Sequence, residues 1–256
     1  MNETVAVAHS PIEQFKIKPI FDWHIAGFDA SFTNSSLWMV IVITLTTFFM
    51  IGGMRKASAV PGRWQSAVEI MYEFVAGMVR DNVGREGKKY FPFVFTLFVF
   101  VLGCNLAGLL PYSFTVTSHI IVNFAMALFI FTGVTLIGFF KNGAGYLRLF
   151  APAGVPLWLL PLITVIEIIS YCIRPFSLSV RLFANMLAGH IMLKVFAGFI
   201  VTLALGAGVA GAAGAVLPFG VTVILTGLEL LVACLQAYVF TILTCIYLND
   251  AMHPGH

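Results

Sequence analysis

Charge is what this chain has least of. Only 10% of its 256 residues are Asp, Glu, Lys or Arg, while 60% are hydrophobic and the mean hydropathy is +0.98. A soluble domain carries roughly 25% charged residues, so a water-soluble fold of this length is excluded. No G-x-x-x-x-G-K-[ST] phosphate loop occurs, and H-E-x-x-H is absent, so nucleotide binding by that loop and zinc hydrolysis by that motif both fall away. The four cysteines, Cys104, Cys172, Cys234 and Cys245, lie inside apolar runs without C-x-x-C spacing and read as packing residues, not as a metal site or disulfide. The net charge of +3 is small and sits at the ends of apolar runs, which gives no case for nucleic acid. The first thirty or so residues hold Glu3, Glu13, Lys16, Lys18, Asp22 and Asp29 and lack the apolar core of a signal peptide. Residues 1–33 are therefore expected to be an uncleaved segment on the outer side.

Long apolar runs are what is there. A membrane helix takes about 20 mostly apolar residues to cross roughly 30 Å of hydrocarbon. Five stretches qualify, 34–54, 90–111, 119–140, 156–205 and 216–248, which predicts an all-α polytopic protein with residues 1–256 forming a single membrane domain. The last two exceed one perpendicular crossing, so they are expected to tilt strongly, bend or begin outside the bilayer. The small-residue stretch from Gly206 to Gly214 separates them. Residues 61–84 read differently. Pro61 suits the first position of a helix, and Trp64, Val68, Met71, Tyr72, Val75, Met78 and Val79 recur at steps of three and four among Arg63, Glu69, Glu73, Arg80 and Asp81. That is an amphipathic helix, expected on the membrane surface or packed on a partner.

Lys and Arg set the topology. Arg55, Lys56, Arg63, Arg80, Arg85, Lys88 and Lys89 flank the amphipathic helix, and Lys141 and Arg148 follow the third span, whereas 111–118 and 206–214 have none. The positive-inside rule makes the basic loops cytoplasmic, with the N-terminus outside and, after five spans, the C-terminus inside.

Charges within spans cost between about 2.5 and 17 kcal/mol depending on the scale, and they mark function by default. The fourth span carries Glu167, Arg174, Arg181, His190 and Lys194, and the fifth carries Glu229. Steps of seven keep Glu167, Arg174 and Arg181 within about 40° of one another over roughly 21 Å of helix, and Asn185 extends that stripe. His190, nine residues past Arg181, points to about the opposite side. Glu229 and Gln236 share a face of the last span. Duller readings exist: Arg174 and Lys194 suit snorkelling to an interface, Glu167 and Arg174 suit mutual neutralisation, His190 and Glu229 suit a satisfied interhelical pair, and Asn105 and Asn123 suit helix-to-helix bonds. Arg181 resists them. Its guanidinium stays charged at any physiological pH, and no carboxylate on its own helix is within local reach, so its partner is expected from elsewhere.

Ser179-Val-Arg181-Leu-Phe-Ala-Asn185-Met-Leu-Ala-Gly-His190 resembles the signature of subunit a of F-type ATP synthases. Glu167 stands fourteen residues before the arginine as that family has it, Leu235-Gln236-Ala237-Tyr238-Val239-Phe240 resembles its last-helix motif, and Asn105-Leu-Ala-Gly-Leu-Leu-Pro111 resembles the end of its second span. The resemblance implies a non-catalytic membrane stator beside a rotating ring of c subunits, with b subunits of the peripheral stalk and the other synthase subunits as partners, no cofactor, and a bacterial inner membrane of alphaproteobacterial type. It implies that Arg181 faces the ring with Gln236 and Asn185 near it, and that His190 and Glu229 form the acid/base pair of the half-channel from the outer side. Glu167 belongs to the half-channel to the cytoplasm, with Asn105, Asn123 and Arg174 as further candidates for channel lining. Some bacterial members exchange acid and histidine between the His190 and Glu229 positions, which leaves one of each.

A stand-alone secondary transporter is the rival reading, since midplane charges suit it too. It predicts inverted repeats, and no second copy of the Arg181 segment occurs. An intramembrane hydrolase needs a nucleophile–base set that the fourth and fifth spans do not supply.

Overall fold

The computed structural model describes residues 17–21, 24–25, 28–29, 31–55, 58–110, 113–150, 156, 158–206 and 208–253. Glu3, Glu13, Lys16, Asp22, Lys56 and Pro111 lie outside the described residues.

Five helices are long and apolar enough to cross a membrane, and a sixth is amphipathic, so the chain is an all-α polytopic membrane protein. They are α1 (Asn34–Met54), α2 (Arg63–Val83), α3 (Phe91–Gly108), α4 (Ile120–Asn142), α5 (Leu160–Gly206) and α6 (Gly208–Met252). Short 3-10 turns at Arg85–Lys89, Val116–Ser118 and Gly143–Phe150 join them. Ahead of α1, β1 (Pro19–Phe21) pairs antiparallel with β4 (Phe32–Thr33), and β2 (His24–Ile25) with β3 (Phe28–Asp29). Thr33 then caps α1, its hydroxyl accepting the Ser36 N–H at 3.4 Å.

α2 starts at Arg63 with Gly62 as its cap, so Pro61 sits in the exposed turn before the helix and not at its first position. Val68, Val75, Met78, Val79 and Val83 are buried, and α2 packs on α3 and α6. Trp64 and Tyr72, which belong to the same three- and four-residue series, are more than half exposed. They sit at its rim, where Trp64 donates its ring N–H to the Phe49 carbonyl at 3.1 Å and Tyr72 packs edge-on to Phe91. Gly84, at φ 78°, ends α2 in the left-handed region that only glycine enters without strain.

α5 and α6 have 47 and 45 residues. At 1.5 Å per residue each is about 70 Å long, more than twice the hydrocarbon thickness. Where small residues were expected to separate the two, only residue 207 lies between α5 and α6, and the stretch from Gly208 onward is helical. Alanine has the highest helix propensity, and Ala210, Ala212, Ala213 and Ala215 offset the glycines among them. α3 ends at Gly108, earlier than expected, because the chain tightens at Leu109 and Leu110, whose N–H groups reach only three residues back.

α6 is the central helix, touching α2, α3, α4 and α5. Ala233, Ala237, Thr241, Thr244 and Leu248 follow one another at steps of three and four and are all buried. Small side chains on that seam let neighbouring backbones come close, which is how helices associate in lipid, where no hydrophobic force draws them together. Thr241 and Thr244 satisfy their hydroxyls on carbonyls four residues back. The outward faces are apolar: Val40, Ile43, Leu45 and Phe48 of α1 and Leu162, Ile166, Ile169 and Ile173 of α5 are exposed. That inverts the soluble pattern and fits a lipid-facing surface. Of the cysteines expected to pack internally, Cys104 and Cys245 do, while Cys172 and Cys234 are exposed; all four are free. Steps of helical rotation, not hydrophobicity, decide which side of α5 and α6 a cysteine occupies.

Candidate functional site

α5 carries two different environments on opposite sides. On the inner side His190 and Glu229 of α6 come together, Nδ1 to Oε1 at 3.3 Å, with both side chains more than nine-tenths buried. The contact has ion-pair proximity without hydrogen-bond alignment. Gly189 makes the approach feasible, because a Cβ there would lie 2.8 Å from Glu229 Oε1. A hydroxyl closes the other side: Thr115, just before the 3-10 turn 116–118, lies 3.0 Å from His190 Nε2. Ser118 donates to the Thr115 carbonyl at 2.6 Å, and Asn123 of α4 donates to the Thr117 carbonyl at 2.7 Å, so the turn is pinned from both ends. Asn105 of α3 donates to the Ala233 carbonyl at 3.1 Å, one helical turn past Glu229.

This is a buried polar cluster: Asn105, Ser113, Thr115, Thr117, Ser118, Asn123, His190 and Glu229 are all buried. Some polar atoms keep no hydrogen-bond partner among the described residues, namely Asn105 Oδ1, Thr117 Oγ1, Asn123 Oδ1 and His119 Nε2. His119, the residue before α4, stacks on Phe114 with centroids 5.0 Å apart, and burial holds its imidazole below the usual histidine range. Orphaned buried polar atoms are uncommon in packed protein and cluster where water or a polar solute fits.

The outer side of α5 is the reverse. Arg181 and Asn185, four residues apart, are both exposed, and Arg181 forms no salt bridge among the described residues. Gln236 is buried on α6, and no hydrogen bond joins it to Arg181 among the described residues. A permanently charged group therefore stands at an apolar surface, flanked by exposed Val180.

Toward the other end of α5 the charges are held. Arg174 does not neutralise Glu167; its Nη1 reaches Asp250 of α6 at 3.0 Å, and its guanidinium stacks 4.9 Å from the Tyr247 ring and 5.5 Å from Tyr171. Tyr171 joins Tyr146 at 2.8 Å and also Thr135, which binds α4, the 143–150 turn and α5 into one network. Burial raises the Tyr146 hydroxyl well above the ordinary tyrosine range. Glu167 is half-buried two turns from Arg174. No cluster of three His, Cys, Asp or Glu suited to a metal occurs among the described residues. The cavity lined by Gly52, Gly53, Arg55, Arg63 and Trp64 at the α1–α2 junction shares no residue with any of these groups.

Thr115, Asp250, Gly189 and His119 were missed as site residues in the sequence. Thr115 is one threonine in a loop 75 positions from its partner. Asp250 lies past the end of the last predicted span at residue 248 and reads as tail. Gly189 had a signal, since it directly precedes His190 in the signature stretch.

Comparison with known proteins agrees with the motifs. The sequence profile of the family described as ATP synthase A chain matches residues 36–249. The chain is 60% identical to ATP synthase subunit a of Chelativorans sp., over 98% of this chain and all of that one. It is 58% identical to ATP synthase subunit a of Parvibaculum lavamentivorans, covering 96% of this chain and 94% of the relative. The protein of that name from Rhodospirillum rubrum is 57% identical over 96% of this chain and 99% of its own.

Proposed function

The chain belongs to the ATP synthase A chain family and is the non-catalytic, proton-translocating stator subunit of an F-type ATP synthase; on that premise we propose that protons cross it by two half-channels on opposite sides of α5, with Arg181 between them. It works within a complex of other synthase subunits. The finer assignment of partners is a rotating c-subunit ring against the Arg181 face and peripheral-stalk b subunits elsewhere.

The observation that carries the reading is the contrast around α5. Arg181 is exposed without a carboxylate among the described residues, while His190 and Glu229 are buried together on the other side. A proton arriving from the outer side passes through the cluster of Asn105, Thr115, Asn123 and His190 to Glu229, and then to a ring carboxylate. Neutralising that carboxylate lets it enter lipid, where an ion costs several kcal/mol at least. After nearly a full turn the carboxyl returns to the Arg181 side. The guanidinium there favours the ionised acid and lowers its pKa, and the proton leaves past Glu167. Arginine suits the post because its broad, permanent charge stabilises a passing carboxylate and transfers no proton itself. Each charge moved through 100 mV releases about 2.3 kcal/mol.

Arg174, tied to Asp250 and two tyrosine rings, is better suited to anchoring the ends of α5 and α6 than to lining a path. Asn105 and Asn123 each hold a neighbouring backbone and also turn an unpaired oxygen into the cluster, so they serve both packing and lining.

Orientation follows the basic residues. Lys141 at the end of α4 pairs with Glu86 in the turn after α2, which gathers Arg85, Lys88, Lys89 and Lys141 at one end of the bundle. That end is cytoplasmic by the positive-inside rule, with the N-terminus periplasmic and the C-terminus cytoplasmic in a bacterial inner membrane.

Arg181→Ala tests the reading. ATP-driven acidification of inverted vesicles is expected to fall at least about a hundredfold, close to the 2.7 kcal/mol lower bound for losing one aimed charge or donor. Normal coupled pumping in that variant would overturn the assignment.

A further inference from the structure

The proposed outer half-channel needs a histidine whose two ring nitrogens do different things, and the residues around His190 bear on which does what. Thr115 is wholly buried, with its hydroxyl oxygen 3.4 Å from the Gly108 carbonyl and 3.0 Å from His190 Nε2. The Gly108 carbonyl, which also takes the Ser113 hydroxyl at 3.2 Å, can only accept, so in its contact with Thr115 the single hydroxyl proton of Thr115 is directed to Gly108. With the proton so directed its oxygen accepts and Nε2 of His190 donates, the tautomer on which the proposal below is built. The neutral imidazole with its proton on Nε2 has its lone pair on Nδ1, which faces Glu229 Oε1 at 3.3 Å.

Both sides of the imidazole are set by close packing. A Cβ on Gly108 would lie 2.8 Å from Thr115 Cγ2, and one on Gly189 would lie 2.8 Å from Glu229 Oε1. Thr115 and Glu229 are thus each seated against a glycine that leaves them room, on opposite edges of the ring. The Thr115 backbone is held as well, by the Ser118 hydroxyl on its carbonyl.

Resting on the half-channel reading above, we propose that Thr115 is a positioning residue of proton transfer: by accepting the Nε2–H bond it fixes His190 in one tautomer and reserves Nδ1 for exchange with Glu229. The transfer balances simply. A proton from the outer aqueous side adds to the Nδ1 lone pair to give the imidazolium; the Nδ1–H bond then breaks as the Glu229 carboxylate gains an O–H bond, and the neutral Nε2–H imidazole is restored. Thr115 keeps its own proton throughout. The charged and titratable groups facing this step are Glu229 from α6 and Lys194 from the next turn of α5; His119, at the end of the loop that carries Thr115, stacks on Phe114.

The test uses the whole synthase in inverted vesicles, with ATP synthesis driven by an imposed proton gradient and the rate followed against the pH of the side that His190 serves. Rates are normalised to the amount of this chain that co-purifies with the complex. Thr115→Val, which keeps the shape and loses the hydroxyl, is expected to lower the rate about tenfold at neutral pH. It should also move the half-maximal pH down by about one unit, since the imidazolium loses a charge-assisted acceptor and one unit matches a bond of that kind. Thr115→Ser is expected to restore most of the rate and the original profile. If the valine variant does not assemble, Thr115→Ala carries the same comparison. Coincident pH profiles for the parent and the hydroxyl-less variants, or a serine variant as slow as they are, would overturn the proposal. His190→Ala run alongside separates the two levels: loss of synthesis there with normal Thr115 variants refutes only the tautomer lock, whereas normal synthesis in all of them refutes the half-channel itself.

Discussion

Arg181 and His190 stand nine residues apart on one helix and live under opposite rules. His190 is enclosed: a carboxyl beside one ring nitrogen, a hydroxyl on the other, glycines making room for both, and a loop of buried hydroxyls pinned by Asn123. Arg181 has no such shell, exposed beside apolar neighbours with no carboxylate among the described residues. In the proposed reading a group that transfers a proton needs a partner held close, and burial with packing keeps Glu229 3.3 Å from His190 Nδ1. A group that must meet a succession of moving partners needs an open approach and a charge that never lapses. The difference teaches that the two sides of α5 suit different tasks in the proposed half-channel reading.

The comparison breaks most visibly at Glu229. Glu229→Gln keeps the shape and removes the titrating group, and proton flux through the assembled complex is expected to fall at least about thirtyfold, read as vesicle acidification per complex. If flux is unchanged while Arg181→Ala stops it, the enclosed side is structural only. Next comes Gly189→Ala. Its added Cβ would press on the Glu229 carboxyl, so an approximately tenfold drop in flux is expected together with about 1–3 kcal/mol of strain, seen as earlier thermal dissociation of the complex. The same substitution at exposed Gly227, whose Cβ would meet nothing within 4 Å, is expected to change neither.

Asp250→Ala sharpens the comparison from the other end of α5. It strands Arg174 beside two tyrosine rings, and a loss of about 1–2 kcal/mol of stability is expected with flux within about threefold of normal. A flux loss as large as that of Glu229→Gln would place Arg174 in the path instead of at an anchor. The smallest effect belongs to Glu86, an exposed residue whose carboxyl is held below its ordinary value chiefly by the hydrogen bond and charge of Lys141. A lowered carboxyl contributes stability above its unfolded value near 4.5 and loses it as pH falls through the lowered folded value. Glu86→Gln is therefore expected to lower the melting temperature slightly at pH 7 and not at all once the parent carboxyl is protonated in acid.

The five spans and the amphipathic α2 were legible because each rests on local periodicity. The opposition of His190 to Arg181 followed from nine residues of helical rotation, and their unlike burial agrees with it. What was not legible depends on distance in space. Asp250 looked like a tail until α6 proved to run on to Met252 and brought it to Arg174. Thr115 gave no sign, because a threonine in a loop carries no periodic signal and its partner is 75 residues away. The 206–214 stretch misled through its glycines, whereas its alanines sustain the helix.

The separation of the two sides is tested most directly by passive proton leak through assembled complexes in the absence of nucleotide, comparing Arg181→Ala with Arg181→Ala combined with Glu229→Gln. Removing the fixed charge between the proposed half-channels is expected to abolish coupled pumping while raising the leak, and adding Glu229→Gln is expected to close that leak again. A leak that persists in the double variant, or pumping that survives in the single one, would contradict the account.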